Sequence, residues 1–431
     1  MMDGATSSDP AVQIQLDRLN ALALPQGGLG LAKMRVLMER LDHPERRLPP
    51  VFHIAGTNGK GSTAAFLRAM LEADGKRVHA YTSPHLVRFN ERIRIAGTLI
   101  DDALLGDLLA EVLDLTGDLG ASFFEIGTAA AFLAFARTPA DACIVEVGLG
   151  GRLDATNLIP APAVTGIAAL GIDHEAFLLA PEDGAPADAM TRIAWEKAGI
   201  AKPGAPLVTQ AYSVPMAEAI ASVAQRVGAP LAPRGAGWDA AVRADRLHYR
   251  DDWGTLDLPL PTLPGAHQAD NAALAVAMLR HQDVLAITEE AMAVGIAEAR
   301  WPARLQKLSP GPLAALLPGT ELWLDGGHNL NAGEALGAFF RARGPVHLVI
   351  GMLANKNPDA LLGYLTPESI IAVPVPGHES HEAEAFRYAR AAPDVTAALR
   401  MLADAAPRTV LIAGSLYLAG DVLRKNGQIP D

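Results

Sequence analysis

Cysteine is nearly absent: among 431 residues only Cys143 carries a thiol, which excludes an intramolecular disulfide. Its place in the apolar run ACIVEV reads as a small core residue. Excess positive charge is absent too. With 36 Lys+Arg against 48 Asp+Glu the formal net charge is -12, which argues against a nucleic-acid or anionic-membrane surface. A local basic funnel for a small anion stays open. The first twenty residues, MMDGATSSDPAVQIQLDRLN, lack the basic start and apolar core of a secretory leader. The uncharged apolar run Ile126 to Ala136 is roughly eleven residues, short of the ~20 of a membrane span. A cytoplasmic protein is the expectation. No repeat or low-complexity tract stands out.

What is present suits a folded protein. Half of the residues are hydrophobic and 19% are charged, and the length suits two domains better than one core. From Val51 onward, short β-rich runs alternate with helical stretches. VFHIA (51–55), RVHAYTS (77–83), DACIVEVG (141–148), AVTGIAALG (163–171) and APLVTQA (205–211) read as strands. Residues 62–75, closed by Gly75, and 101–115 read as helices. Such alternation predicts an α/β fold, a mainly parallel sheet with helices on both faces. Residues 246–264 predict a hairpin turning at DDWG, and 270–281 and 288–299 predict helices. Residues 180–189, APEDGAPADA, read as an exposed loop. After Trp301-Pro302 a second βα series begins with ELWLDGG, PVHLVIGM, SIIAVPV and RTVLIAGS. The expected domains are therefore 1–300 and 301–431, the second a smaller α/β domain.

The chemistry starts at GTNGKGST (56–63), which follows a strand and opens a helix. The common phosphate loop has its hydroxyl residue directly after the lysine; here Gly61 intervenes. Gly56, Gly59 and Gly61 let backbone N–H groups converge on phosphate oxygens, Lys60 neutralises charge, and Ser62 or Thr63 reaches Mg²⁺. An incidental glycine-rich turn is the bland alternative. Glu146 sits at a strand's C-terminal end, where open α/β sheets place ligands. There it either meets a metal or is bonded to neighbouring N–H groups. Asp173 and His174 in GIDHE end another strand, although a lone histidine is more often structural. Lys197, near a helix end, would ordinarily be solvated.

Taken in order, GTNGKGS, YTSPHLVRFNERI (81–93), EVGLGGRLDATN (146–157), GIDHE (171–175) and WEKAGI (195–200) resemble the Mur ligase superfamily. Its folate branch, dihydrofolate synthase/folylpolyglutamate synthase, is the nearest match and carries the extra loop glycine. HQADNAALA (267–275), WPARLQ (301–306), LDGGHN (324–329), GMLANK (351–356) and AGSLYLAG (413–420) continue the resemblance over nearly the whole chain. Two departures are visible. The family commonly has Gly at the position of Ala303, and Ala-His-Asn-Pro where this chain has Gly327-His328-Asn329-Leu330.

The resemblance implies the roles that follow. Thr57, Asn58, Gly59, Lys60, Gly61 and Ser62 cradle the ATP phosphates, and Asn271, Arg304, Asp325 and His328 complete the nucleotide site. Ser83 and Glu146 hold one Mg²⁺, and His174 with a carbamylated Lys197 helps hold a second. Gly27, Gly28 and Leu29, Ser122, Phe123, Phe124 and Glu125, and Leu153, Asp154 and Ala155 match pterin-binding segments. For the two phenylalanines ordinary core packing is an equal alternative. Lys60, Glu146, His174 and Lys197 are the catalytic candidates.

The implied activity is ATP-dependent ligation of L-glutamate to dihydropteroate or a reduced folate through an acyl phosphate, by a monomer. Folylpolyglutamate synthesis alone, or another Mur-type ligation on cell-wall precursors, is the nearer rival. A non-catalytic or GTPase-type switch is the farther one, and leaves Glu146, His174 and Lys197 without a use.

Overall fold

Strand β1, Val51–Ala55, is buried at every position, as a strand covered on both faces must be. The computed structural model describes residues 5–22, 30–405 and 408–431. In it β1 lies within a sheet built from β2 (Val78–Tyr81), β3 (Ile93–Ile95), β4 (Thr98–Leu99), β5 (Ala142–Glu146), β6 (Val164–Ile167), β7 (Leu207–Thr209) and β8 (Leu231–Pro233). The strand order is β4-β3-β2-β5-β1-β6-β7-β8. Neighbours from β2 to β8 run parallel, while β3 pairs antiparallel with both β2 and β4. Helix Lys60–Ala73 packs on β1, β2 and β5, and helix Glu289–Glu298 packs against it in turn. Gly295 makes that approach possible, because a Cβ there would collide with the backbone of Met70. Helix Phe123–Arg137 lies against β2 and β3 with helices Asp102–Thr116 and Pro10–Asn20 around it.

Two compact units result. The first comprises Met1–Pro84, Arg88–Thr262 and Gln268–Arg300, and the second His85–Val87, Leu263–His267 and Trp301–Asp431. The hairpin at DDWG forms as read, Asp251 facing Gly254 across its turn. It joins β10 (Arg246–Asp251) to β11 (Gly254–Pro259), and β9 (Trp238–Arg243), which the sequence reading left unassigned, adds a third antiparallel strand.

In the second unit, β12 (Gln306–Lys307), β13 (Glu321–Leu324), β14 (His347–Ile350), β15 (Ser369–Ala372), β16 (Arg390–Ala391) and β17 (Thr409–Ala413) form a sheet of order β12-β13-β17-β14-β15-β16. All its pairs are parallel except β12 with β13. The two-residue period of a strand is visible in its cores. Leu322, Leu324, Val349, Ile371, Val410 and Ile412 enter one cluster, which also takes Val87. Trp323, Leu348, Ile350, Ala372, Leu411 and Ala413 enter the other.

The strands read from the sequence are shorter at their C-terminal ends than expected: 77–83 forms a strand only over Val78–Tyr81, and 163–171 only over Val164–Ile167. The trimmed residues form the loops that leave the sheet edge, and those loops carry the site. Residues 180–188 are loop, and helix Ala189–Ala198 starts behind the cap Asp188, whose side chain accepts from Thr191 N.

Candidate active site

Four adjacent parallel strands, β2, β5, β1 and β6, end on the same edge of the first sheet. Parallel direction makes that edge the C-terminal end of all four, which is where doubly wound sheets receive ligands. Ser83 follows β2, Glu146 ends β5, residues 56–60 follow β1, and Asp173 and His174 follow β6. Sheet order thus brings together residues up to 117 positions apart in the chain (57 to 174).

The loop after β1 is braced from β6. Thr57 N and Asn58 N both donate to Ala169 O, at 2.8 and 3.1 Å, and Thr57 Oγ1 donates to Gly171 O at 2.8 Å. Gly59 caps helix Lys60–Ala73 with φ +83, and a Cβ there would strike the side chain of Asn271. That position requires glycine on both counts. Ser62 and Thr63 are buried in the first turn of the helix. The Lys60 ammonium donates to Gly56 O at 2.9 Å and lies 4.0 Å from Glu146 Oε1.

Glu146 is 4% exposed, and its Oε2 accepts from Ser83 N at 3.3 Å. His174 has φ +54 and opens the short helix Glu175–Leu178, its N–H donating to Asp173 Oδ1 at 2.8 Å. Lys197 is buried, not solvated, at 4% exposure, with Nζ 3.5 Å from Gly150 O. Burial lowers its pKa from 10.5 to about 7; the charge of Lys60 adds to the drop, and Asp173, Asp154 and Glu196 oppose it.

Among the described residues no group of three or more His, Cys, Asp or Glu could by itself hold a metal ion. Mg²⁺ rarely uses an all-protein cage; it is bound through one or two carboxylates together with substrate phosphates. One buried carboxylate, Glu146, beside a phosphate-type loop fits that mode.

Of the pterin-matched segments, 153–155 lies within the loop of residues 148–157 and 122–125 packs beside it. Ser122 and Glu125 form a capping box on helix Phe123–Arg137: Ser122 N donates to Glu125 Oε2 at 2.8 Å, and Glu125 N to Ser122 Oγ at 3.3 Å. Phe124 faces Gly148, where a Cβ would enter its ring, and Phe123 meets Phe89 edge-on at 5.7 Å between centroids. The Arg92 guanidinium, fully buried, lies 5.4 Å from both the Phe89 and Phe123 rings. Leu153 is half-buried and Ala155 buried. Asp154 is 3% exposed, and its oxygens accept from Leu149 N at 2.8 Å and from Thr156 N at 3.0 Å. Gly27, Gly28 and Leu29 lie outside the described residues.

The second unit holds the remaining candidates. Asp325 Oδ2 accepts from Leu305 N and its Oδ1 from Gly327 N, each at 2.7 Å. His328 Nδ1 lies 3.0 Å from Gly326 O, and Arg304 donates to Ala303 O at 3.1 Å.

Arg152 was not singled out from the sequence. It donates to Glu182 at 2.7 Å and Glu196 at 2.8 Å, and its guanidinium stands 4.4 Å from the Trp195 ring centroid. It thereby ties the 148–157 loop to the helix that carries Lys197. No local pattern announces such a role, since its partners lie 30 and 44 residues away.

A strand, a glycine-rich loop and a helix, with a buried acid on the neighbouring strand, define a nucleotide-binding α/β protein of the phosphate-loop class. The comparisons narrow this. No family model matches the chain. It is 37% identical over 341 residues to the dihydrofolate synthase/folylpolyglutamate synthase of Escherichia coli, covering 78% of this chain and 75% of that protein. It is 32% identical over 430 residues to the folylpolyglutamate synthase of Lacticaseibacillus casei, covering 90% and 92%. The E. coli FolC structure in complex with DHPP and ADP is similar at TM-score 0.85 and 33% identity, over 97% of this chain and 98% of that one. The Yersinia pestis bifunctional enzyme complexed with AMPPNP and Mn ion is similar at TM-score 0.83 and 32% identity, over 97% and 98%. The chain belongs to the dihydrofolate synthase/folylpolyglutamate synthase family.

Proposed function

We propose that this chain joins L-glutamate to dihydropteroate, and to reduced folates, by ATP-dependent amide ligation. ATP's terminal phosphoryl group passes to the acceptor carboxylate, and the glutamate amine attacks the resulting acyl phosphate and releases phosphate. The observation that carries the reading is the convergence of Thr57–Lys60, Ser83, Glu146, Asp173 and His174 on one sheet edge, beside buried Lys197. In this reading the N–H groups of residues 57–62 hold the phosphates, and Lys60, 4.0 Å from Glu146, leaves its loop carbonyls for the transferring phosphoryl oxygens. Asn271, Arg304, Asp325 and His328 complete the nucleotide site, and residues 122–125 and 153–155 contact the pterin.

Ser83 and Glu146 would hold one Mg²⁺, with His174 and a carbamate on Lys197 contributing to a second. When bound, the metal neutralises phosphoryl charge. The carbamate is supported by the burial of Lys197 and the nearby charge of Lys60, which disfavour an ammonium against the pull of Asp173, Asp154 and Glu196. Residues 1–300 and 301–431 are the two domains of this reading. A cytoplasmic setting accompanies it; among the described residues no helix is long and apolar enough to cross a membrane.

ADP release with dihydropteroate and, separately, tetrahydrofolate, each with and without glutamate, tests the proposal. Glutamate-dependent release with both acceptors is expected. Release indifferent to glutamate would sink the ligase reading, and a response to tetrahydrofolate alone would reduce it to folylpolyglutamate synthesis.

A further inference from the structure

His53 is the titratable residue of β1 and is fully buried. A neutral imidazole in a strand core is costly unless its nitrogens are satisfied, and valine or isoleucine would fill the position at lower cost. Here one nitrogen is satisfied. Nε2 lies 2.9 Å from Thr156 Oγ1, and Nδ1 has no hydrogen-bond partner among the described residues.

The bond partners fix its direction. Thr156 Oγ1 donates to Asp154 Oδ1 at 2.5 Å, so the hydroxyl proton is committed and its lone pairs face the ring. His53 must then be the Nε2–H tautomer, donating. The chain of bonds runs His53 to Thr156 to Asp154 across 103 residues of sequence. It ends on a carboxylate that also receives Leu149 N and Thr156 N. His53 and Thr156 are 0% exposed and Asp154 3%, so no bulk water competes. Bonds in such a chain polarise one another and strengthen the last link.

We propose that His53 is a positioning residue for the acceptor substrate: through Thr156 it fixes the Asp154 carboxylate and so sets the conformation of Leu153–Ala155. The inference rests on the reading of that segment as a pterin contact. The nucleotide loop is braced elsewhere, through Ala169 and Gly171, so the relay does not set its conformation. Burial holds the imidazole neutral at working pH, which keeps the donor tautomer in place.

The test uses the full chain and three variants. His53→Leu keeps bulk without a donor, His53→Gln returns a donor near the Nε2 position, and Thr156→Val removes the middle link without changing shape. His53→Leu is expected to raise KM for dihydropteroate about five- to thirtyfold, the range a buried hydrogen bond commands, with KM for ATP unchanged. His53→Gln restores the wild-type value. Should His53→Leu fail to fold, Thr156→Val carries the same expectation. An unchanged dihydropteroate KM, or an equal rise in the ATP KM, overturns the relay. Wild-type protein that releases no ADP with dihydropteroate refutes the activity and not the relay. Hydrogen–deuterium exchange over residues 148–157 then decides: it quickens in His53→Leu and not in His53→Gln, or the relay is wrong.

Discussion

Ala303 adopts φ +55 and Leu305 φ +45, and both are buried. A left-handed backbone costs an L-residue roughly 1–2 kcal/mol. The segment is held there from both sides: Ala303 N donates to Gln306 Oε1 at 2.9 Å, and Leu305 N to Asp325. The family's usual glycine at this position is thereby explained, and the alanine of this chain is a strained substitute. Ala303→Gly relieves that strain, but it frees the unfolded chain by about 0.4–1 kcal/mol and removes a buried methyl worth about 0.8 kcal/mol. The three effects nearly cancel, so the change should move stability by less than about 0.5 kcal/mol. Ala303→Val, β-branched in the same conformation, should cost more than about 2 kcal/mol. Urea denaturation of the two variants checks this, and a loss above about 1 kcal/mol in the glycine variant contradicts the strain argument.

At the element scale, helix Leu330–Arg341 starts behind Asn329, whose side chain accepts from Ala332 N at 3.1 Å. Leu330 is the first helical residue and 53% exposed. That position has no intrahelical partner for its N–H and suits proline, and Asn329, at φ -134 and ψ 174, already has the extended backbone that precedes one. Leu330→Pro should therefore stabilise the second unit by about 0.4–1 kcal/mol, read as a rise in its thermal midpoint; a fall would mean that the leucine side chain packs. The same helix shows what a sequence reveals. Elements with capping residues and an apolar stripe, such as Asp102–Thr116 behind Asp101, were legible. Phe123–Arg137 was not, because Ile126 to Phe135 is buried all round and shows no stripe. The short strands β3, β4, β12 and β16, two or three residues each, fall below any period. In the site, residues 56–63 were legible because they are contiguous. Lys197 was legible only by resemblance, since the groups that bury it come from distant segments. The His53–Thr156 bond, spanning 103 residues, left no local trace.

For the whole molecule, acidification acts twice. The formal net charge is -12 at pH 7 and the isoelectric point is about 5.5, so the self-repulsion that keeps copies apart vanishes near that pH. His53 acts over the same range. Burial, assisted by the charge of Lys202, lowers its pKa from 6.5 to about 3. An unfolded chain binds a proton there below pH 6.5 and the folded chain does not until about pH 3, so stability is full above 6.5 and falls as pH drops through that window. Between pH 7 and pH 5 this one residue withdraws about 2 kcal/mol, a sizeable share of a typical 5–15 kcal/mol. Loss of stability in the first unit and loss of repulsion thus coincide, and the protein should precipitate on standing between about pH 5 and 5.5. His53→Gln keeps a donor for Thr156 but cannot titrate. Its urea midpoint should fall less than that of the wild type from pH 7 to pH 5, by the equivalent of about 2 kcal/mol, and its turbidity at pH 5.3 should rise more slowly. Equal pH slopes for the two proteins would show that His53 is protonated in the folded state, and would remove the neutral donor on which the relay depends.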